Sequence, residues 1–164
     1  MTAPVTIRAA TAADVPAVWA MLEPVFRAGE TYSVPRDIPR EQALAEWFAP
    51  GHRVFLAEAE GTPLGTYNIH ANRPGGGAHV GNCSFVTASA AQGRGIARAM
   101  ATHAIETGRE MGFRAIQFNF VIASNTRAVA LWESLGWEVI GRLPGAFLHP
   151  AKGYVDALVM YRTL

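Results

Sequence analysis

Cysteine is all but missing from this chain: Cys83 stands alone. That excludes an internal disulfide and a cysteine-based metal cluster, and a free thiol suits a reducing compartment, so the expected setting is cytoplasmic. A surplus of either charge is missing too. Fourteen Lys and Arg against 13 Asp and Glu leave a formal charge of +1. The cations are nearly all arginine and scattered, which argues against a nucleic-acid-binding or membrane-binding face. No run approaches the ~20 apolar residues of a membrane span, and Met1 to Arg8 lacks the basic start and apolar stretch of a signal peptide. The five histidines show no metal-ligand spacing, so no metal is expected. There is no internal repeat, charge block or low-complexity segment.

What is present is an ordinary globular composition, 50% apolar and 16% charged over 164 residues. It predicts one domain, residues 1–164, with one core. Alternating Val5, Ile7 and Ala9 predict a first strand. Thr11 and Asp14 supply a helix start, with Pro16 tolerated in the first turn, and the helix runs to about Arg27. A loop over 29–39 precedes a short helix near 40–48, stopped by Pro50 and Gly51. Strands are predicted at 53–59, 64–71, 79–87, 115–122, 137–143 and 154–162, with helices at 93–111 and 126–135. Ile116, Phe118 and Phe120 share one strand face, Asn125 caps the last helix and Gly136 ends it. The fold class is a mixed α/β (α+β) domain around a central sheet of about seven strands.

The sharpest local signal is Gln92-Gly93-Arg94-Gly95-Ile96-Ala97, which follows a strand and opens a helix. Unpaired N–H groups at a helix start, with the positive end of the dipole behind them, suit a phosphate. Glycine lets that backbone approach without a Cβ clash. Arg94 or Arg98 would add charge-assisted contacts. A Walker loop would need Gly-Lys followed by Ser or Thr, and the dinucleotide fingerprint a third small residue where Arg98 stands.

Two segments carry a family resemblance. The first is Gln92 to Ala97, preceded by Asn82 to Thr87. The second runs from Asn125-Thr126-Arg127-Ala128 through Leu131-Trp132-Glu133-Ser134-Leu135-Gly136-Trp137. In this order and spacing the chain resembles the GCN5-related N-acetyltransferase (GNAT) superfamily. The resemblance implies that fold, with helices on both faces and two central strands splayed apart, and acetyl-CoA as co-substrate. It implies that the amides from Gln92 to Ala97 hold the pyrophosphate, that Phe85, Val86 and Thr87 line the pantetheine, and that Asn125 lies beside it. An N–H near Phe85 or Val86 would polarise the thioester carbonyl, where fixed dipoles stabilise the developing oxyanion. Many members carry a tyrosine acid where this chain has Trp132. Indole is not a useful proton source, so Trp132 is expected to pack against the coenzyme. The thiolate, with a thiol pKa of ~8.5, then leaves unaided or takes a proton from water. Homodimers are common in the superfamily, though no feature of this sequence specifies one.

Asn82 and Asn119 sit mid-strand, where asparagine is disfavoured. Either they bond to each other or to backbone, or both face the cleft and donate to a substrate carboxylate. Asn82-Cys83-Ser84-Phe85 and Phe118-Asn119, with Asn125 beyond, look like the branch that acetylates azetidine-2-carboxylate and related imino acids, a branch near the amino-acid and phosphinothricin acetyltransferases. That resemblance implies a small-molecule amine substrate, a free amino or imino acid, with Asn82 and Asn119 at its carboxylate. The amine must lose a proton to attack. Glu30 is one candidate base; His149 and Tyr154 are others, and Tyr32 borders the same acceptor site. Cys83 is expected to pack, because the family chemistry is direct attack by the amine. The competing functions are an acetyl-CoA sensor without catalysis and a protein or peptide N-acetyltransferase.

Overall fold

In a computed structural model, residues 3–164 are described; Met1 and Thr2, the start of the stretch read for a leader, lie outside them. The elements run β1 (Thr6–Ala9), α1 (Val15–Ala28), α2 (Arg40–Trp47), β2 (Arg53–Ala59), β3 (Thr62–Ala71), β4 (Val80–Thr87), α3 (Ile96–Glu110), β5 (Ala115–Ile122), α4 (Thr126–Ser134), β6 (Glu138–His149) and β7 (Gly153–Thr163). They form one seven-stranded sheet in the order β1-β2-β3-β4-β5-β7-β6. Every pairing is antiparallel except β4 with β5.

Two apolar clusters sandwich the sheet. On one face Ile69, Met100, Ala104, Ile116, Trp137 and Met160 pack with α3 and α4. On the other, Val18, Leu22, Phe26, Trp47 and Leu56 pack beneath α1 and α2. The period-2 alternation of the strands feeds both layers at once. At the start of α1, the Thr11 N–H donates to Asp14 Oδ2 at 2.7 Å, the reciprocal half of a capping box. Arg8 then ties Asp14 to Glu58 of β2.

Three expectations are corrected. The helix expected from residue 93 begins at Ile96, because Gly93 and Gly95 take positive φ of 75° and 77°. The strand expected over 137–143 continues to His149. It passes Pro144 through an irregularity between Leu143 and Phe147, where proline loses no ladder bond. The Asp156 carboxylate stabilises this bulge, accepting from the Gly145 N–H at 2.9 Å and from Arg142 at 2.8 Å. Finally, Phe120 leaves the core face. The β5 register shifts between Phe118 and Val121, and its ring turns edge-on to Phe147, centroids 6.4 Å apart.

Candidate functional site

The β4–β5 pairing is short. It comprises Val80 with Ala115 and Gly81 with Ile116, and then the two strands part. The backbone groups facing that gap follow from the β3–β4 ladder. The Asn72 N–H donates to the Val80 carbonyl and the Ala88 N–H to the Leu64 carbonyl, and the register between them is unbroken. Antiparallel pairs alternate between bonded and non-bonded. Val80, Asn82, Ser84 and Val86 therefore spend their main-chain groups on β3, whereas Cys83, Phe85 and Thr87 turn theirs into the gap. An N–H from Phe85 is free for a thioester carbonyl; Val86, expected as an alternative donor, has its N–H committed to Thr66.

At the far end of β4 the chain enters a 3₁₀ turn over Ser89–Ala91 and then the glycine pair. Gly95 is the N-cap of α3, with no side chain capping it. The first helical bond is Ala99 N–H to the Gly95 carbonyl, so the amides of Ile96, Ala97 and Arg98 have no helical acceptor. A Cβ built on Gly95 meets nothing within 4 Å, and one on Gly93 meets only an Arg127 Nη at 3.9 Å. This open, amide-lined bowl backed by a helix dipole fits a pyrophosphate. Arg98 and Arg127 border the bowl, whereas Arg94 does not contribute to its walls. Arg127 was missed in the sequence; its signal was its place two residues after the capping Asn125.

Gap and bowl join in one cleft of about 670 Å³. Asn125 lines it and caps α4 by accepting the Ala128 N–H at 3.4 Å. Trp132 is buried and forms the cleft wall, its ring 5.1 Å from Phe85 and 5.0 Å from Phe118. Cys83 is buried, and burial pushes its thiol far above its ordinary range; it stays protonated and packs.

On the α1/α2 face of the sheet the cleft floor is polar. Asn82 and Asn119 both reach it, but they do not bond to each other. Asn119 Nδ2 donates to Asn72 Oδ1 at 2.7 Å, and Gln117 Nε2 donates to Asn119 Oδ1 at 2.9 Å. Asn72 and Gln117 were missed; each sits two residues from a cleft-face position, His70 and Asn119, and so shares its face.

Tyr32 closes the cleft from the loop after α1. Its hydroxyl donates to the Phe85 carbonyl at 2.8 Å, and burial raises its pKa well above the phenol range, so it stays a donor. Beyond Tyr32 a second cavity opens between this loop and the β6–β7 hairpin, walled by Val34, Pro35, Phe147, Leu148 and Pro150, with Arg36 at its rim.

The remaining candidates are not brought together. Glu30 is exposed and borders neither cavity. His149 is buried in the β6–β7 turn, where its Nδ1 accepts the N–H groups of Ala151 and Lys152 at 3.1 and 3.2 Å. That nitrogen has no lone pair to spare, so His149 holds the turn. Tyr154 is 77% exposed opposite Leu148 on the hairpin. Among the described residues no group of His, Cys, Asp and Glu is arranged to hold a metal ion, and no helix is long and apolar enough to cross a membrane.

Comparison with known proteins agrees with this geometry. The acetyltransferase (GNAT) family matches residues 17–137, and the chain belongs to that family. A GCN5-related N-acetyltransferase from Kribbella flavida superposes with a TM-score of 0.93 at 46% identity, over 98% of each chain. A ribosomal-protein-alanine N-acetyltransferase from Brucella melitensis gives 0.84 at 29% identity, over 97% of this chain and 99% of the other. The N-acetyltransferase aca1 of Schizosaccharomyces pombe is 33% identical over 97 residues, 58% of this chain and 46% of that protein, so the match spans about half the length of that curated relative.

Proposed function

We propose that this chain transfers an acetyl group from acetyl-CoA directly to the amine of a small acceptor, a free amino or imino acid. The observation that carries the reading is the juxtaposition of an amide-lined bowl and strand gap with a floor of uncharged donors at Asn82 and Asn119. Acetyl-CoA supplies the activated acetyl group. The amides at 95–98 and the Arg127 guanidinium bind its pyrophosphate, and the Phe85 N–H and the main-chain groups of Thr87 orient its arm. The Phe85 N–H is placed to polarise the thioester carbonyl, a fixed dipole that needs no reorganisation as charge develops. Trp132, Phe85 and Phe118 exclude water from one wall. Asn82 and Asn119 hold the acceptor carboxylate so that its amine points at the gap, and Tyr32 separates the reacting centre from the apolar cavity that takes the acceptor side chain. Among the described residues no carboxylate or imidazole lines the cleft, so the amine proton leaves through water.

Thiol release from acetyl-CoA, measured across free amino acids, imino acids, polyamines and short peptides, tests the reading. Release with a free amino or imino acid supports it. Release only with peptides beginning in alanine, the acceptor type in the Brucella relative's name, replaces it with protein acetylation. Coenzyme binding without any release replaces it with a sensor.

A further inference from the structure

We propose that Asn72 and Gln117 set a preference for carboxylate-bearing acceptors by clamping the Asn119 carboxamide from both ends; the inference rests on the amino-acid reading above. A carboxamide offers two N–H groups and two oxygen lone pairs. Asn119 commits one of each, its Oδ1 to Gln117 Nε2 at 2.9 Å and one N–H to Asn72 Oδ1 at 2.7 Å. Gln117 lies on the same strand and face, at the closed end of the gap. Asn72 lies just past the end of β3, so its bond with Asn119 crosses above β4.

The polarity of this chain of amides has a chemical consequence. A lone asparagine on the floor could rotate half a turn and show the cleft its oxygen. Clamped as it is, Asn119 turned by itself would place nitrogen against nitrogen and oxygen against oxygen, losing both bonds; only a turn of all three amides together would keep them. In this arrangement its second N–H is a donor on the cleft floor. Asn72 ends the chain with its own Nδ2, which has no acceptor among the described residues, and the Asn82 side chain beside them is likewise without a protein partner. A carboxylate only accepts hydrogen bonds, so a floor that presents N–H donors favours it over a bare alkyl amine. Asn72 and Gln117 are positioning residues that act through Asn119.

The test compares kcat/KM for an acceptor with kcat/KM for the amine lacking its carboxylate: proline against pyrrolidine, and leucine against 3-methylbutylamine. The native enzyme is expected to favour the acid. Asn72→Ala and Gln117→Ala each cut that preference by about tenfold, the worth of one hydrogen bond to a charged group. The loss appears in KM for the acid, while the amine's kcat/KM and the acetyl-CoA Kd stay within about twofold. Asn72→Ala combined with Asn119→Ala is no worse than Asn119→Ala alone, as expected for residues acting through one group. Equal losses for acid and amine, additive losses in the double variant, or a preference that survives both single variants overturns the inference alone. A native enzyme that does not favour the acid overturns the amino-acid reading and the inference together. Gln117→Ala carries the test by itself where Asn72→Ala does not fold.

Discussion

The Tyr32 hydroxyl and the Phe85 carbonyl oxygen lie 2.8 Å apart across the cleft, and this bond joins the loop after α1 to β4. The Phe85 carbonyl faces the gap, where no neighbouring strand can take it, so the phenol supplies the partner that a ladder would have supplied. Tyr32→Phe keeps the ring, which packs edge-on against Phe26 with centroids 5.4 Å apart, and removes only the donor. The expected cost is about 1 kcal/mol of stability and a roughly tenfold fall in kcat/KM, on the scale of one lost positioning contact. Chemical denaturation and steady-state kinetics read the two separately; unchanged kinetics would make the bond purely structural.

Gly95 is the second position where a single atom decides the outcome. Its φ of 77° is unsuited to a β-branched residue, and its Cβ would project into open space at the bowl. Gly95→Val is expected to weaken acetyl-CoA binding by at least ~100-fold through steric exclusion, with about 1–3 kcal/mol of backbone strain. Calorimetric titration checks the affinity and thermal melting the fold. A folded variant with native affinity would place the pyrophosphate elsewhere.

Trp132 offers a test of the departing thiolate. The indole is packed among Phe85, Phe118 and Trp137, and its N–H does not ionise usefully. Trp132→Phe is expected to leave the shape of the kcat–pH profile unaltered and to lower kcat no more than about threefold by loosened packing. Loss of an alkaline limb in that profile would mean that the residue handles a proton after all.

Two histidines make the fold sensitive to mild acid. The His52 and His70 rings stack at 3.9 Å, nearly parallel, and His52 Nδ1 donates to the Trp47 carbonyl at 3.2 Å. Burial, then repulsion from His70, lowers the His52 pKa; burial also lowers that of His103, which meets the Tyr67 hydroxyl at 2.6 Å. Depressed values mean that the folded state prefers neutral rings. Their contribution is complete above the unfolded value of about 6.5 and is lost as pH falls through and below it. The melting temperature should therefore decline between about pH 7 and 5, and His52→Gln should flatten the decline. An unchanged slope in that variant would assign it to other groups.

Much of this was legible in the chain because the signals were local. Alternation marked the strands, Asn125 announced the helix it caps, and Gln92 to Ala97 announced the bowl. The errors lie where a distant partner overrides local preference. The strand expected over 137–143 runs on, because Asp156 from β7 holds a bulge that lets β6 continue. His149 reads as a candidate base until the turn amides of Ala151 and Lys152 occupy it. Asn119 was singled out, but its partners were not: Asn72 is 47 positions away, and only the assembled sheet brings the two side chains over the same strand.

The β6–β7 turn also contains the chain's single lysine, Lys152. Every other side-chain cation is an arginine, whose guanidinium keeps its proton in water and offers no nucleophilic nitrogen. An acyl thioester held by this protein therefore meets side chains almost bare of reactive amines: one ε-amine at the tip of a hairpin. Such an arginine coat leaves the catalyst nearly immune to modification by its own donor, so the acetyl groups that leave the thioester are spent on the acceptor or on water.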